Sequence, residues 1–319
     1  MRVVITGGAG FLGSHLADAL IERGDRVVVF DNFCTGRAEN VEHLLKRGPQ
    51  VFWLDERDVC EDLYVPGYVD AVVHMASPAS PPAYTKLAIE TLRAGSLGTE
   101  NALKLAARKS ARFILASTSE VYGDPEVHPQ FEGYYGNVNP IGPRSCYDES
   151  KRYAEAITAA YSRGRGVDVG IARIFNSYGP RMAADDGRVV TNFICQALRG
   201  EPLTIHGTGE QTRSFCYVTD LIDVLVRLID SKITGPINIG NPTEFTINSL
   251  AREVSQLVGY TGLTRKPLPK DDPTQRCPDI SMARDYLDWR PKVDLYGGLQ
   301  QTIKWFRGRP DEVRQAADA

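Results

Sequence analysis

The sequence predicts an α/β fold, a doubly wound parallel sheet with a second, smaller α/β lobe. Three observations predict it. Short runs rich in β-branched apolar residues alternate with helical patterns through the first 175 residues. A cluster of glycines, TGGAGFLGSH, directly follows the first such run. After Asn176 the alternation stops, and Pro and Gly become frequent. Continuous apolar strands separated by helices belong to a parallel sheet covered on both faces.

In order, RVVIT (2–6) is the first strand and GSHLADALIERG the first helix. RVVVF (26–30) is the second strand and ends at an acid, Asp31. VFWL (51–54) and DAVVHMA (70–76) are the third and fourth. A helix through SLGTENALKLAARK leads to the fifth, RFILAS (112–117). Another helix follows Tyr147, and VGIARIF (169–175) is the sixth strand. SFCYVTDLIDVLVRLID reads as a buried helix and PINIG (236–240) as one more strand, both returning to the first domain. A Rossmann-type domain thus covers 1–175 plus about 214–240, and a smaller substrate-binding lobe covers 176–213 and 241–319. TRKPLPKDDPTQRCPDI is proline-rich and charged, which predicts a loop. The last helix lies near 297–307 and is followed by a polar, frayed tail.

Composition excludes several classes. With 37 basic and 40 acidic residues the net charge is −3, too balanced for a general nucleic-acid binder. A hydrophobic fraction of 42% is too high for a disordered chain. The six cysteines show no CxxC pair and the five histidines are scattered, so no metal site is expected and the cysteines read as free thiols in a reducing compartment. No apolar run reaches the ~18 residues of a membrane span. The first strand begins at Arg2, leaving no room before it for a signal peptide, so a cytoplasmic protein without membrane or nucleic-acid partners is expected.

Gly8, Gly10 and Gly13 satisfy GxGxxG, and Gly7, Gly10 and Gly13 satisfy GxxGxxG. Such glycines permit a sharp turn, close approach of a pyrophosphate and tight helix packing, with the helix N-terminus facing the phosphates. Asp31, at the end of the second strand, can accept hydrogen bonds from a ribose and would repel a 2′-phosphate, which favours NAD over NADP. Arg37, six residues further on, could accept that phosphate and carries less weight. Asp58 and Val59 follow the third strand and could border an adenine, although Asp58 reads equally well as a helix cap.

YDESK contains Tyr147 and Lys151, four residues apart and so on one face of a helix. An ammonium beside a phenol lowers its pKa and suits it to take a proton from a sugar hydroxyl while the carbon gives up a hydride. In LASTSEVYGD, Thr118 could bond the same hydroxyl. Glu120 is either a surface-loop carboxylate or a ligand-side group beyond the sheet's C-terminal edge.

These motifs resemble the extended short-chain dehydrogenases/reductases that act on nucleotide sugars, and most closely the UDP-glucuronate decarboxylases, or UDP-xylose synthases. The resembling stretches include ITGGAGFLGSH, DNFCTGR, HMASPASPP, LASTSEVYGDPEVHPQ, NPIGPRSCYDESKR, ARIFNSYGPRM, DDGRVVTNFI, GEPLTIHGTGEQTRSFCYV and DDPTQRCPDI. The resemblance implies decarboxylation of UDP-glucuronate to UDP-xylose with NAD, by oxidation at C4, loss of carbon dioxide and re-reduction. It implies Tyr147 as base, Lys151 as the group lowering its pKa, Thr118 assisting, and Ser119 and Glu120 on the C5 side. Arg276 completes the site near the carboxylate and diphosphate. Phe11, Leu12, Asn32, Thr35, Met75, Ser77, Ser177 and Arg188 join the NAD site. Asn176 and Arg213 would bind the diphosphate, and Thr204 and His206 would edge the uracil. Asn192 belongs to the same lobe, and Leu63, Tyr64, Arg93 and Asn101 would line the sugar side. A homodimer built through two helices per subunit is implied as well.

The chain departs from the family at Arg93, Ala94 and Gly95, where Lys-Thr-Asn or Lys-Thr-Ser is usual, and at Cys277, often a lysine. The rivals are a dTDP-glucose 4,6-dehydratase, whose family has Thr-Asp-Glu at Thr118–Glu120, and a UDP-sugar 4-epimerase, which usually lacks that glutamate. A non-catalytic NAD-binding scaffold or sensor would tend to lose Tyr147 or Lys151, and both are present.

Overall fold

A computed structural model describes residues 1–268 and 275–316. Its centre is a seven-stranded parallel sheet. Its strands are β1 (Arg2–Thr6), β2 (Arg26–Asp31), β3 (Phe52–Glu56), β4 (Ala71–His74), β5 (Arg112–Thr118), β6 (Val169–Ile174) and β7 (Pro236–Ile239). Across the sheet they run β7-β6-β5-β4-β1-β2-β3. The order reverses between β1 and β4, the place where an open α/β sheet opens a crevice for ligands.

Along each strand the side chains alternate between the two faces of the sheet, and nearly all those of β1, β2, β4 and β5 are buried. Val3, Ile5, Val27, Val29 and Val73 pack with Leu16, Leu20, Leu221 and Leu225 on one face. Val4, Val28, Val72, Phe113 and Leu115 pack with Leu103, Ala106, Ala154 and Tyr161 on the other. Both faces are therefore dry, which is why the strands read as unbroken apolar runs. The first face holds helices Phe11–Glu22 and Val218–Asp230, and the second holds Thr99–Lys109 and Ser145–Arg165.

The second half is more regular than its Pro and Gly content suggests. Helices Val189–Arg199 and Ile247–Val258 stand where the alternation of the first half gives no hint of them. Strand pairs of a few residues join the lobe: Thr212–Ser214 lies between Glu244–Thr246 and Gln275–Arg276, and Leu203–His206 pairs with Leu263–Lys266. The charged stretch expected to be a loop therefore contributes two short strands, and its residues 269–274 lie outside the described residues. The expected frayed tail is also corrected as far as residue 316. Pro310–Gln315 is a helix with Val313 buried, because that side chain joins the apolar cluster of Phe193 and Phe306.

Candidate active site

The loop after β1 is shaped by what glycine lacks. Gly7 has φ +73°, and a Cβ there would sit 2.7 Å from the Ala76 Cα, in the segment that follows β4. At Gly13 a Cβ would stand 2.2 Å from the Gly7 carbonyl oxygen. The loop thus folds back on itself and against Met75–Ala76, and Gly10 begins helix Phe11–Glu22. The first N–H groups of that helix have no intrahelical acceptor, and they open onto the crevice side of the sheet. Phe11 and Leu12 supply two of them.

At the end of β2, Asp31 is buried and accepts the backbone N–H groups of Ala9 and Phe33, each at 2.9 Å. Burial pushes its carboxyl above the ordinary range, against those two bonds. Asn32 donates to Asp58 at 2.9 Å, and the Asp58 carboxylate also accepts the Cys60 N–H at 2.8 Å. Burial opposes ionisation of Asp58, but these bonds and the Arg93 charge hold its pKa below the usual value. Thr35 is exposed beside this group, Val59 is buried behind it, and Met75 and Ser77 are half-buried on the opposite side. Arg37 is engaged elsewhere, with Glu312 and at 3.5 Å with Glu39. Glycines that leave no room for a Cβ, a helix N-terminus and a carboxylate on the neighbouring strand fit a dinucleotide with a free ribose 2′-hydroxyl.

The reacting group forms where β5 ends. Thr118 closes the strand, and its hydroxyl accepts the Glu120 N–H at 3.3 Å and lies on the side of the Tyr147 phenol, whose ionised form it favours. Tyr147 is 7% exposed and stacks on Tyr84, ring centres 5.1 Å apart. Lys151 lies one turn along, its Nζ 5.8 Å from the Tyr147 ring centre and donating to the Ala116 carbonyl at 2.9 Å. Burial pushes the Tyr147 phenol up to about 12, with the charge of Arg188 pulling the other way. Burial likewise pushes Lys151 down to about 8, opposed by Glu155.

Glu120 is no surface-loop group. It is 15% exposed, accepts Arg144 at 2.7 Å and accepts the guanidinium of Arg276 on its other oxygen. Burial would raise its pKa, but the two arginines hold it well below the carboxylate range. Arg276 is 3% exposed and also donates to the Gly123 carbonyl at 3.1 Å. Ser119 is buried at the start of the turn Ser119–Tyr122.

Three members of this group escape a reading based on motifs. Arg144 precedes Tyr147 by three residues, so helical spacing was its available signal. Tyr84 had no local signal. Asp148 is 6% exposed, and its Oδ1 has no hydrogen-bond partner among the described residues. Burial and the nearby Glu120 push its pKa up, opposed by Arg144 and Arg276.

The substrate-side residues divide. Strand Gln275–Arg276 pairs with Thr212–Ser214 so that Arg276 is opposite Arg213, which sets two cations side by side. Asn176 follows β6 and donates to the Ser214 carbonyl at 3.3 Å, and Ser177 is buried in the next short strand. Arg188 donates to the Ala79 carbonyl at 2.7 Å, and its charge reaches Tyr147. Asn192 donates to the Gly187 carbonyl at 2.9 Å in the same lobe. Thr204 is bound by Gln196 at 3.0 Å, and His206 contacts the Pro267 carbonyl at 3.0 Å.

Of the remaining four, only Leu63 is enclosed. Leu63 is 0% exposed, enclosed behind the sheet with Phe113 and Leu103, so it has no surface to offer. Asn101 donates to the Val59 and Glu61 carbonyls at 3.1 and 2.9 Å, fixing that loop. Tyr64 is 65% exposed under Lys109. Arg93 acts on Asp58 and Cys60, beside the residues expected around the adenine.

Comparison with known proteins gives the family. Residues 3–240 match the NAD dependent epimerase/dehydratase family. UDP-glucuronic acid decarboxylase 1 of Xenopus tropicalis is 55% identical over 307 residues, covering 96% of this chain and 72% of that protein. Among solved structures, UDP-glucose 4-epimerase of Thermotoga maritima with UDP-glucose superposes with a TM-score of 0.88 at 29% identity, covering 97% of this chain and 99% of that one. UDP-glucuronic acid 4-epimerase of Bacillus cereus, in complex with UDP-glucuronic acid and NAD, gives 0.85 at 27% identity and the same two coverages, 97% and 99%.

Proposed function

The chain belongs to the NAD dependent epimerase/dehydratase family, and from that premise we propose that it decarboxylates UDP-glucuronate to UDP-xylose. The observation that carries the reading is Glu120 held by Arg144 and Arg276 next to Tyr147. Relatives more than 50% identical are named UDP-glucuronic acid decarboxylases, which supports it.

NAD would be held by Gly7, Gly10 and Gly13 with Asp31 at its ribose, and would take a hydride from C4 of the sugar and give it back to C4 once carbon dioxide has left. Tyr147 takes the proton of the C4 hydroxyl and later returns one there, as a phenolate that the neighbouring cations Lys151 and Arg188 favour against burial. With C4 as a ketone, the C5 carboxylate is β to a carbonyl. The C5–carboxyl bond breaks, carbon dioxide leaves, and the electron pair becomes an enolate that is protonated at C5. Glu120 is ionised, so its role is to orient Arg144 and Arg276 toward the carboxylate side rather than to donate a proton. Ser119 in place of an acid disfavours expulsion of a C6 hydroxyl, the dehydratase chemistry. Arg213 and Asn176 hold the diphosphate, with Thr204 and His206 toward the uracil, and the guanidinium forks suit phosphate oxygens.

The protein works in the cytoplasm as a homodimer. Ile89, Leu92, Leu97 and Tyr153 are large apolar residues exposed on the segments Ala88–Arg93, Ala94–Gly98 and Ser145–Arg165, and a second copy would cover them. Among the described residues no helix is long and apolar enough to cross a membrane. Residues 1–175 with about 214–240 hold the cofactor, and the rest hold the nucleotide sugar.

The test is incubation with UDP-glucuronate and NAD, following carbon dioxide and the nucleotide-sugar products. Carbon dioxide with UDP-xylose is the expected result. UDP-galacturonate without carbon dioxide would replace the reading with 4-epimerisation, and turnover of dTDP-glucose would replace it with dehydration.

A further inference from the structure

We propose that His128, Glu244 and Cys277 bind one zinc ion beside Arg276, a site outside the sugar-nucleotide chemistry. One ligand atom from each residue lies within 4.8 Å of the other two. His128 Nε2 and Glu244 Oε2 are already 2.9 Å apart. Zinc bonds of about 2.0–2.3 Å in a tetrahedron hold ligand atoms roughly 3.3–3.8 Å from one another. Small side-chain rotations would therefore bring all three into a coordination sphere, with water as the fourth ligand.

The three ligands come from separate segments that the backbone ties together. Gln130 N–H donates to the Cys277 carbonyl at 2.9 Å, and Cys277 N–H donates to the Gln130 side-chain oxygen at 2.9 Å. Asp279 N–H donates to the Gln130 carbonyl at 2.8 Å. Strand Glu244–Thr246 joins through Thr212–Ser214 to Gln275–Arg276, immediately before Cys277. Thr212 Oγ1 donates to Glu244 Oε1 at 2.6 Å, which orients the carboxylate and leaves Oε2 toward His128. Such a second bond on a ligating carboxylate is the usual support of a metal site.

The donor set is thiol, imidazole and carboxylate, a combination that suits zinc and not calcium or magnesium. The side chains of His128 and Glu244 are partly open to solvent, at 29% and 28%, so an ion can enter, while Cys277 is 3% exposed at the base. Burial, with Glu244 and Asp279 nearby, pushes the Cys277 thiol up to about 12. A bound dication reverses that preference, so zinc displaces the thiol proton to solvent as the Zn–S bond forms. Cys277 follows the arginine that holds Glu120, so an ion here would fix the segment carrying Arg276.

The experiment uses the full chain, stripped with a chelator and titrated with zinc against a chromophoric competitor, and with cobalt(II) as a spectroscopic probe. One zinc per chain is expected, with a thiolate-to-cobalt absorption band. Cys277→Ser and His128→Ala should each abolish the band and weaken zinc binding by at least roughly 100-fold, beyond what losing an outer-shell partner does. His128 is at the surface, so its variant tests the site even if a Cys277 substitution impairs folding. Cys277→Lys, which puts a fixed cation in place of the ion, should melt within a few degrees of the parent and bind no zinc. Absence of stoichiometric binding, or binding unchanged in His128→Ala and Cys277→Ser, overturns the proposal.

Discussion

Around Tyr147, the buried phenol, the ionised Glu120 and the buried Asp148 lie close together. Replacing Tyr147 by Phe removes only the hydroxyl and keeps the ring stacked on Tyr84. The expected result is a turnover loss of about 10²–10⁴-fold, the usual worth of a positioned acid–base group. NAD affinity, followed by protein fluorescence, should stay within about twofold. Retained turnover would remove Tyr147 from its role. Asp148 gives a pH test. Its carboxyl is faced by Glu120, Arg144, Arg276, Glu149 and Tyr147, and its pKa is raised in the fold. A raised carboxyl pKa means the folded state holds the proton that the unfolded chain releases. The resulting destabilisation is absent below the unfolded value near 3.8 and complete above the folded one, about 7. Asp148→Asn should therefore be more stable than the parent at neutral pH, with the gap growing between about pH 4 and 7 and vanishing below it. Denaturant midpoints across that range check this, and a constant gap would show that Asp148 does not titrate there. Glycine, tyrosine and lysine were legible because their spacing is local. Asp148 was not, because its burial depends on chain segments far away in sequence.

At the scale of elements, the departure at Gly95 has a steric cause. Ala94–Gly98 forms a π-helical turn, and a Cβ on Gly95 would stand 2.5 Å from the Ser150 Cβ on the helix that carries Lys151. Ala94 and Gly95 therefore let two helices approach closely behind the reacting centre. Gly95→Ala should cost about 1–3 kcal/mol by overpacking, read from urea unfolding, with turnover reduced because Lys151 is next to the contact. A neutral result would mean that the helices separate freely. The strands were legible because both sheet faces are apolar. Helix Val189–Arg199 carries its own signal, Val190, Phe193, Ile194 and Ala197 at helical spacing, overshadowed by the surrounding Pro and Gly. The strands of two to four residues had none, since each exists only through its partner.

Across the whole molecule, one apolar cluster runs from Val3 and Ile5 through Leu221 to Phe193, Leu250, Trp289 and Phe306. The sheet and the lobe thus share a core. Trp289 is 1% exposed and donates to the Asp220 carbonyl at 3.1 Å, while the Asp220 carboxylate accepts Lys292 and Val293 N–H, each at 2.8 Å. Trp289→Ala should cost about 3–5 kcal/mol and shift one cooperative transition in calorimetry. Two separated transitions would show that the halves unfold independently.

By itself the sequence determined the alternating strands and helices, the glycine loop, the Asp31 position and the Tyr147–Lys151 pair. Each of these rests on residues within a turn or a strand of one another, where periodicity and sterics act directly. Tertiary structure alone decided the rest. It turned Lys151 to a backbone carbonyl, clamped Glu120 between Arg144 and Arg276, and withdrew Leu63 into the core. It also brought His128, Glu244 and Cys277 together from segments more than 30 residues apart. Desolvation and charge pairing depend on what surrounds a side chain in space, and that is settled only when distant segments pack.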